Sequence, residues 1–226
     1  VTGNFESAMD FDAGPGQSIL SPAGQQDVYI TKYDTAGNFK WVKRLAGTEP
    51  AAAHDMKMDS HGNIYVLGFF QGTIDFDPGP AEYYEITNSV TGFLLKLDNN
   101  GNFIWVKRLV YGATLLEIDA ADNILIAGNF SGTQDFDPGP GTHNATANNL
   151  YADLFVEKLN AAGDFLWVKQ TSTLSADQPR EFGLVTDRDR NIFLGGSFAG
   201  NVDFDPGAGV ASLTGAGSND AFLLKL

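Results

Sequence analysis

The residues best suited to chemistry are pairs of aspartates separated by one phenylalanine and followed by a Gly/Pro turn. In an extended segment, residues i and i+2 point to the same side, so the two carboxylates of each pair lie close together. Like charges at that spacing need a cation or hydrogen-bond donors nearby. The motif occurs four times, at residues 10–16 (DFDAGPG), 75–80 (DFDPGP), 135–140 (DFDPGP) and 203–209 (DFDPGAG).

Calcium is one species that such an arrangement could bind. Carboxylates and turn carbonyls form an oxygen-rich pocket, and Ca²⁺ takes 6–8 oxygen ligands. A further acid follows the first motif aspartate by 17 or 18 residues in three copies, whereas the second copy has Thr91 in this region. The predicted ligands are Asp10, Asp12, Asp75, Asp77, Asp135, Asp137, Asp203 and Asp205, with Asp27, Asp153 and Asp220 as further candidates. The alternative is that the aspartates only order the turn by accepting backbone N–H groups.

The motif belongs to a longer repeat. Its first aspartates are spaced by 65, 60 and 68 residues, and a Gly-x-Phe sequence begins seven residues before each one. After each motif comes an apolar run with a lysine, and in three copies a Trp-Val-Lys sequence follows nine residues later, at Trp41, Trp105 and Trp167. Three more aspartates lie in the turn before the apolar segment that contains the Gly-x-Phe sequence. They are predicted to form Asx turns: Asp59, Asp119 and Asp187.

Each repeat predicts four short antiparallel strands, which we label a to d in chain order. The apolar runs are short, Gly and Asn mark the turns between them, and no helical period is present. Repeated four-stranded antiparallel units are typical of a β-propeller. We therefore predict an all-β propeller with units at roughly 1–55, 56–114, 115–182 and 183–226, the first lacking strand a and the last lacking strand d. We expect the chain to be part of a longer chain or assembly, with self-association through open strand edges.

The stretch MKMDSHGNIYVLG, together with TGFLLKLDNNGNFIWVKRL, resembles the bacterial SBBP-type β-propeller repeat family. The resemblance covers three repeat junctions and most of the chain. It implies a secreted or cell-surface bacterial protein in which the repeats are scaffolding or binding modules. The Asp-Phe-Asp turn departs from the plain repeat of that family, so the resemblance implies nothing about its role.

Composition excludes some partners. The formal net charge is −14, so no basic surface is expected to neutralise the phosphates of nucleic acids. No apolar run reaches the length of a membrane span, and we predict no membrane insertion. The chain has no cysteine, which excludes disulfides and thiolate metal sites.

Four copies of one acid pair argue against catalysis, because an active site is needed once. Nucleophile motifs are absent, and the histidines His54, His61 and His143 lie at non-equivalent positions without zinc-ligand spacing. We predict a non-enzymatic secreted or cell-surface structural or adhesion propeller, stabilised by calcium, with a glycan or surface protein as a candidate partner. The alternative is a carbohydrate-binding propeller, or the propeller domain of a secreted glycoside hydrolase, with Tyr83 and Tyr84 stacking on sugar.

Overall fold

The computed structural model describes residues 1–148, 151–173 and 179–226. Within these residues the regular secondary structure consists of β-strands, and all of the strand pairings are antiparallel. The predicted all-β antiparallel architecture is therefore confirmed. No described segment is a helix that is long and apolar enough to cross a membrane. The chain divides into two compact units, Val1–Arg108 and Leu109–Leu226.

The first unit contains the first two sequence repeats. Its strands are β1 (Thr2–Phe5), β2 (Met9–Asp10), β3 (Ile19–Leu20), β4 (Asp27–Tyr33), β5 (Phe39–Gly47), β6 (Ala51–Met58), β7 (Ile64–Asp75), β8 (Tyr84–Leu97) and β9 (Phe103–Leu109).

The second unit contains the other two repeats. Its strands are β10 (Ala113–Ile118), β11 (Ile124–Phe130), β12 (Thr133–Asp135), β13 (Asn144–Thr146), β14 (Asp153–Leu159), β15 (Phe165–Gln170), β16 (Ser172–Thr173), β17 (Arg180–Thr186), β18 (Ile192–Phe198), β19 (Asn201–Asp203), β20 (Ser212–Thr214) and β21 (Asp220–Lys225).

The strand order within each repeat is the predicted a-b-c-d order. The second repeat pairs β6, β7, β8 and β9 in that order, and the third pairs β10, β11, β14 and β15. Among the described residues, the first repeat forms b, c and d as β1-β4-β5, and the fourth forms a, b and c as β17-β18-β21. The predicted unit boundaries fall inside β6, β10 and β17, since strand a begins a few residues earlier than the sequence pattern indicates.

The Asp-Phe-Asp motif lies at the tip of a small hairpin between strands b and c. The hairpin is β2-β3 in the first repeat, β12-β13 in the third and β19-β20 in the fourth. In the second repeat the outer ends of β7 and β8 take its place, with Asp75 opposite Tyr84.

In the three repeats that contain strand a, the glycine of the Gly-x-Phe sequence allows strand a to approach strand b closely. A Cβ on Gly68, Gly128 or Gly196 would lie 2.0–2.1 Å from a backbone carbonyl oxygen of the neighbouring segment. Real Cβ atoms do not approach that closely, so only glycine fits. The register of strand a shifts opposite these glycines in all three repeats that contain it.

Each unit has its own apolar core between two sheets. In the first unit, Val28 and Ile30 of β4 pack with Phe93 and Leu95 of β8. In the second unit, residues at equivalent positions pack in the same way: Leu154, Val156, Phe222 and Leu224. Trp41 and Trp167 are partly buried against these two cores, so the recurring tryptophans serve in packing.

Replacement of Gly196 by alanine should destabilise the protein by about 1–3 kcal/mol, because the new methyl group would lie 2.0 Å from the Arg180 carbonyl oxygen. The neighbouring Gly195→Ala variant is the control, since its methyl group would make only ordinary contacts at 3.9 Å. Urea unfolding measures both. Equal stability of the two variants would contradict this account of the close approach.

Candidate functional site

The first aspartate of every motif accepts two backbone N–H groups through one carboxylate oxygen. In the second repeat, Asp75 Oδ1 accepts the N–H of Asp77 at 3.0 Å and that of Tyr83 at 2.8 Å. The corresponding distances in the other repeats are 3.1 Å and 2.8 Å, at Asp10, Asp135 and Asp203. One carboxylate therefore closes the loop in each repeat.

The second aspartate makes an Asx turn with the glycine two residues later. Its Oδ1 accepts the glycine N–H at 2.7–2.8 Å in all four repeats, at Asp12, Asp77, Asp137 and Asp205. In three repeats, Oδ2 lies against another glycine, where a Cβ would be 2.2–2.3 Å away: Gly16, Gly141 and Gly209. The second repeat has Ala81 at this position. The turn-ordering role predicted as the alternative is therefore present in every copy.

The phenylalanine between the two aspartates is buried in an aromatic trio. In the second repeat, the Phe76 ring lies 5.3 Å from that of Phe70, at nearly a right angle, and 4.9 Å from that of Phe93. Edge-to-face contacts of this kind stabilise beyond the area that they bury. The other repeats form the same trio, from Phe5, Phe11 and Tyr29, from Phe130, Phe136 and Phe155, and from Phe198, Phe204 and Phe222.

The further acids before strand c bond elsewhere. Asp27 accepts the N–H groups of Ala23 at 2.7 Å and Gly47 at 3.2 Å, and its carboxylate lies 3.7 Å from Arg44 Nε. It ties the loop before strand c to the end of strand d. The third repeat repeats this arrangement at Asp153, where burial raises the pKa of the carboxyl.

Asp220 accepts the N–H of Ala216 at 2.5 Å. None of the hydrogen bonds of Asp27, Asp153 or Asp220 involves a motif aspartate. Within residues 1–148, 151–173 and 179–226, no three acidic or histidine side chains form a group that could hold a metal ion. Calcium binding by these residues stays a prediction.

Cationic side chains border the second motif. A groove of about 450 Å³ is lined by Lys43 and Arg44 of β5 together with Asp75 and Asp77. Positive charge so close weakens the attraction of these two carboxylates for a further cation.

The aspartates of the a–b turns form the Asx turns that the sequence predicts. Asp59 Oδ1 accepts the N–H groups of His61 and Asn63 at 3.0 and 2.8 Å. The sequence did not reveal that these carboxylates also pair with the recurring lysine of strand c. Lys96 Nζ lies 3.7 Å from Asp59 Oδ2, and the equivalent pair, Lys158 and Asp119, is at 2.7 Å.

Hydrogen bonds, together with these ion pairs, lower the pKa of the turn carboxylates although burial opposes it. Burial opposes ionisation of Asp119, but hydrogen bonds from the side chains of Lys158 and Asn123 outweigh it and lower the pKa to about 2. The lysine therefore fastens strand c to the turn between strands a and b. In these two repeats the role of the lysine is structural.

The two tyrosines considered as a sugar platform have different surroundings. The Tyr83 ring lies 4.8 Å from that of Phe103 at an angle of 31°. His143 occupies the same motif position in the third repeat and packs on the equivalent Phe165 at 4.5 Å and 31°. Tyr83 thus has a counterpart in the third repeat, and its ring supports the hairpin. Tyr84 is exposed, and sugar binding there stays a prediction.

Glu157 was not singled out from the sequence. It lies on strand c of the third repeat at the position of Thr31, Leu95 and Leu224 in the other repeats. Only 1 % of the residue is exposed, and its Oε1 has no hydrogen-bond partner among the described residues. Burial, and then the charge of Asp137, raise the pKa of Glu157 to about 8. Its carboxyl is therefore protonated at neutral pH.

No family model matches the chain. It is 29 % identical over 175 residues to an uncharacterized WD repeat-containing protein, L264, of Acanthamoeba polyphaga mimivirus. The alignment covers 69 % of this chain but only 12 % of that protein. WD repeats are propeller repeats with four strands per blade, so the similarity agrees with the repeated antiparallel sheets described above.

The stability of the protein should fall as pH rises from about 4.5 to about 8, because the native state keeps a proton on Glu157 that the unfolded chain releases near 4.5. One such proton contributes at most about 1.4 kcal/mol per pH unit to this slope. Glu157→Leu and Glu157→Gln should both remove this contribution. Urea unfolding across this pH range measures it, and an unchanged slope in both variants would show that Glu157 is ionised in the native state.

Proposed function

We propose that this chain is a non-enzymatic propeller segment that serves as a structural scaffold, in which the Asp-Phe-Asp hairpins stabilise each sheet. The observation that carries the proposal is the equivalence of the four motifs. Each has the same carboxylate-to-amide hydrogen bonds and the same buried aromatic trio. A carboxylate that already closes a loop in every repeat is explained by its structural role without any catalytic one.

Two further observations support the propeller. Sheets of adjacent repeats within each unit pack through equivalent strand positions, as stacked repeats do. The WD repeat-containing relative also points to this fold class. The resemblance to the SBBP-type repeats supports a location outside a bacterial cell or at its surface. There the scaffold would hold other modules at fixed positions.

Calcium stabilisation is the second part of the proposal. The Oδ1 atoms of the motif aspartates are occupied by amides, so a cation would be coordinated by the Oδ2 atoms and by backbone carbonyls. The net charge of −14 favours cation binding in general. This part is independent of the scaffold role, since the hairpins close with or without the ion.

Substitution at Asp75 tests the scaffold role. Asp75→Ala removes the acceptor of two backbone N–H groups and should lower the free energy of unfolding by about 1–3 kcal/mol. Asp75→Asn keeps an acceptor oxygen and should lie much closer to the parent protein. Urea unfolding in the presence of a chelator measures both variants.

The control is Asp189→Ala, which removes the same charge from an exposed aspartate at another turn. It should leave stability nearly unchanged. If Asp75→Asn were as damaging as Asp75→Ala, the carboxylate charge would matter more than the hydrogen bonds, and the role proposed here would be wrong.

Calcium removal tests the second part. Saturating calcium should raise the melting temperature over that in EGTA, and binding at a hundred times its Kd stabilises by about 2.7 kcal/mol. Asp137→Asn should reduce the gain, since it removes the charge of one motif carboxylate. Magnesium is the control for general screening of charge. Equal melting temperatures in calcium and EGTA would refute calcium binding and leave the scaffold proposal standing.

A further inference from the structure

The groove that borders the second motif lies between the first and second repeats, inside the first unit, and has a volume of about 450 Å³. Strand β5 of the first repeat forms one wall with Lys43 and Arg44, and the second Asp-Phe-Asp hairpin forms another with Asp75 and Asp77. Sites that bind small molecules have volumes of this size. Two repeats therefore bring charges of both signs to one groove that is large enough for a ligand.

The two cations of the groove differ in how they are engaged. The Arg44 guanidinium donates a hydrogen bond to the Ser21 carbonyl oxygen and lies 3.7 Å from the buried carboxylate of Asp27. The Lys43 ammonium makes no hydrogen bond and no ion pair within the part of the chain that the structure describes. Lys43 is therefore the cation that is available to a ligand.

Each carboxylate of the second motif has one oxygen that is not used by the hairpin. Asp75 and Asp77 accept their backbone N–H groups through Oδ1, and neither Oδ2 accepts a hydrogen bond from a described residue. In the other three repeats, Oδ2 of the second aspartate lies where it would be 2.2–2.3 Å from a Cβ on the glycine four residues later. Here that residue is Ala81, whose Cβ excludes this position. Two carboxylate oxygens thus remain for a ligand.

The cavity at the equivalent place between the third and fourth repeats is too small for a ligand. Lys169 and Pro206, which stand at the positions of Lys43 and Pro78, contribute to its lining, and its volume is about 10 Å³. That is room for one water molecule at most. Most of its lining is apolar, and the motif aspartates of the fourth repeat do not contribute to it. The groove of the first unit is therefore not a general consequence of the repeat.

The charges of the groove select the class of ligand. A lone cation is repelled by Lys43 and Arg44, and a lone anion is repelled by the two aspartates and by the net charge of −14. A molecule that carries both an ammonium and a carboxylate can place each of them opposite the sign that attracts it. Both contacts are then charge-assisted hydrogen bonds, which are stronger than neutral ones.

We propose that this groove binds a small zwitterion, a free amino acid or a short peptide, whose ammonium lies at Asp75 and Asp77 and whose carboxylate lies at Lys43. Binding would use the Oδ2 atoms of the aspartates, whereas the hydrogen bonds that close the hairpin use Oδ1. The proposal therefore goes beyond the scaffold role and does not depend on it.

Titration of the full chain with unblocked glycine peptides, from glycine to tetraglycine, tests the proposal by NMR. We expect saturable shifts of the backbone amides of Ala46 and Gly79, which line the groove. The peptide that binds best reports the separation of the charges, because each residue adds about 3.5 Å. Added salt should weaken binding, since both contacts are electrostatic. A parent chain without saturable shifts for any of these peptides overturns the proposal. All samples contain EGTA, so the outcome does not depend on calcium.

Substitution of Lys43 tests the assigned orientation. Lys43→Met should weaken binding of the best peptide about 10- to 100-fold, because a hydrogen bond to a charged group is lost. Lys169→Met makes the same change at the equivalent position of the third repeat and should bind like the parent chain. The same peptide with an amidated carboxyl end should bind the parent chain and Lys43→Met equally weakly.

Two results would contradict this orientation. One is equal affinity of the parent chain and Lys43→Met for the unblocked peptide. The other is undiminished binding of a peptide that is acetylated at one end and amidated at the other, since it carries neither charge. Urea unfolding verifies that both variants are folded.

Discussion

The fold depends on burying one aromatic ring at the tip of a tight hairpin. A turn that places Phe76 at the core also brings backbone N–H groups away from neighbouring strands, where no strand carbonyl can pair with them. The flanking aspartates satisfy them: Asp75 closes the loop and Asp77 orders the turn. The ring can then pack against Phe70 and Phe93, which belong to strands b and c. The motif thus links the hairpin, both strands and the core.

The carboxylates illustrate how the same residue type serves different purposes according to depth. Motif aspartates at the hairpin tips bond to amides near solvent, whereas Asp119 is buried and is bonded by both Lys158 and Asn123. Glu157 is buried, its raised pKa has no opposing contribution from a cation, and its carboxyl stays protonated. A chain with a net charge of −14 can form two apolar cores because most of its acids lie at turns, where amides or water solvate them.

Departures from the repeat are as informative as the repeat. Thr91 replaces the buried acid of Asp27 and Asp153, and its hydroxyl bonds to Thr87 within the same strand. The second hairpin is also the one whose strands merge with β7 and β8, so its connection has less need of a carboxylate anchor. In the fourth repeat Leu223 is exposed at a strand c position that is buried in the other three repeats.

The sequence by itself determined the features that depend on local spacing. Repeat intervals, glycine and asparagine turns and short apolar runs predicted the antiparallel strands and their order, since these follow from chain geometry. Only the tertiary structure decided which group each acid contacts, because that depends on strands distant along the chain. It separated Asp27 from the motif aspartates, paired Lys96 with Asp59, and placed Glu157 in the protein interior. The sequence does not show whether a carboxylate is hydrogen-bonded to an amide, paired with a lysine or protonated. That depends on how deeply the fold buries it and on which groups lie beside it.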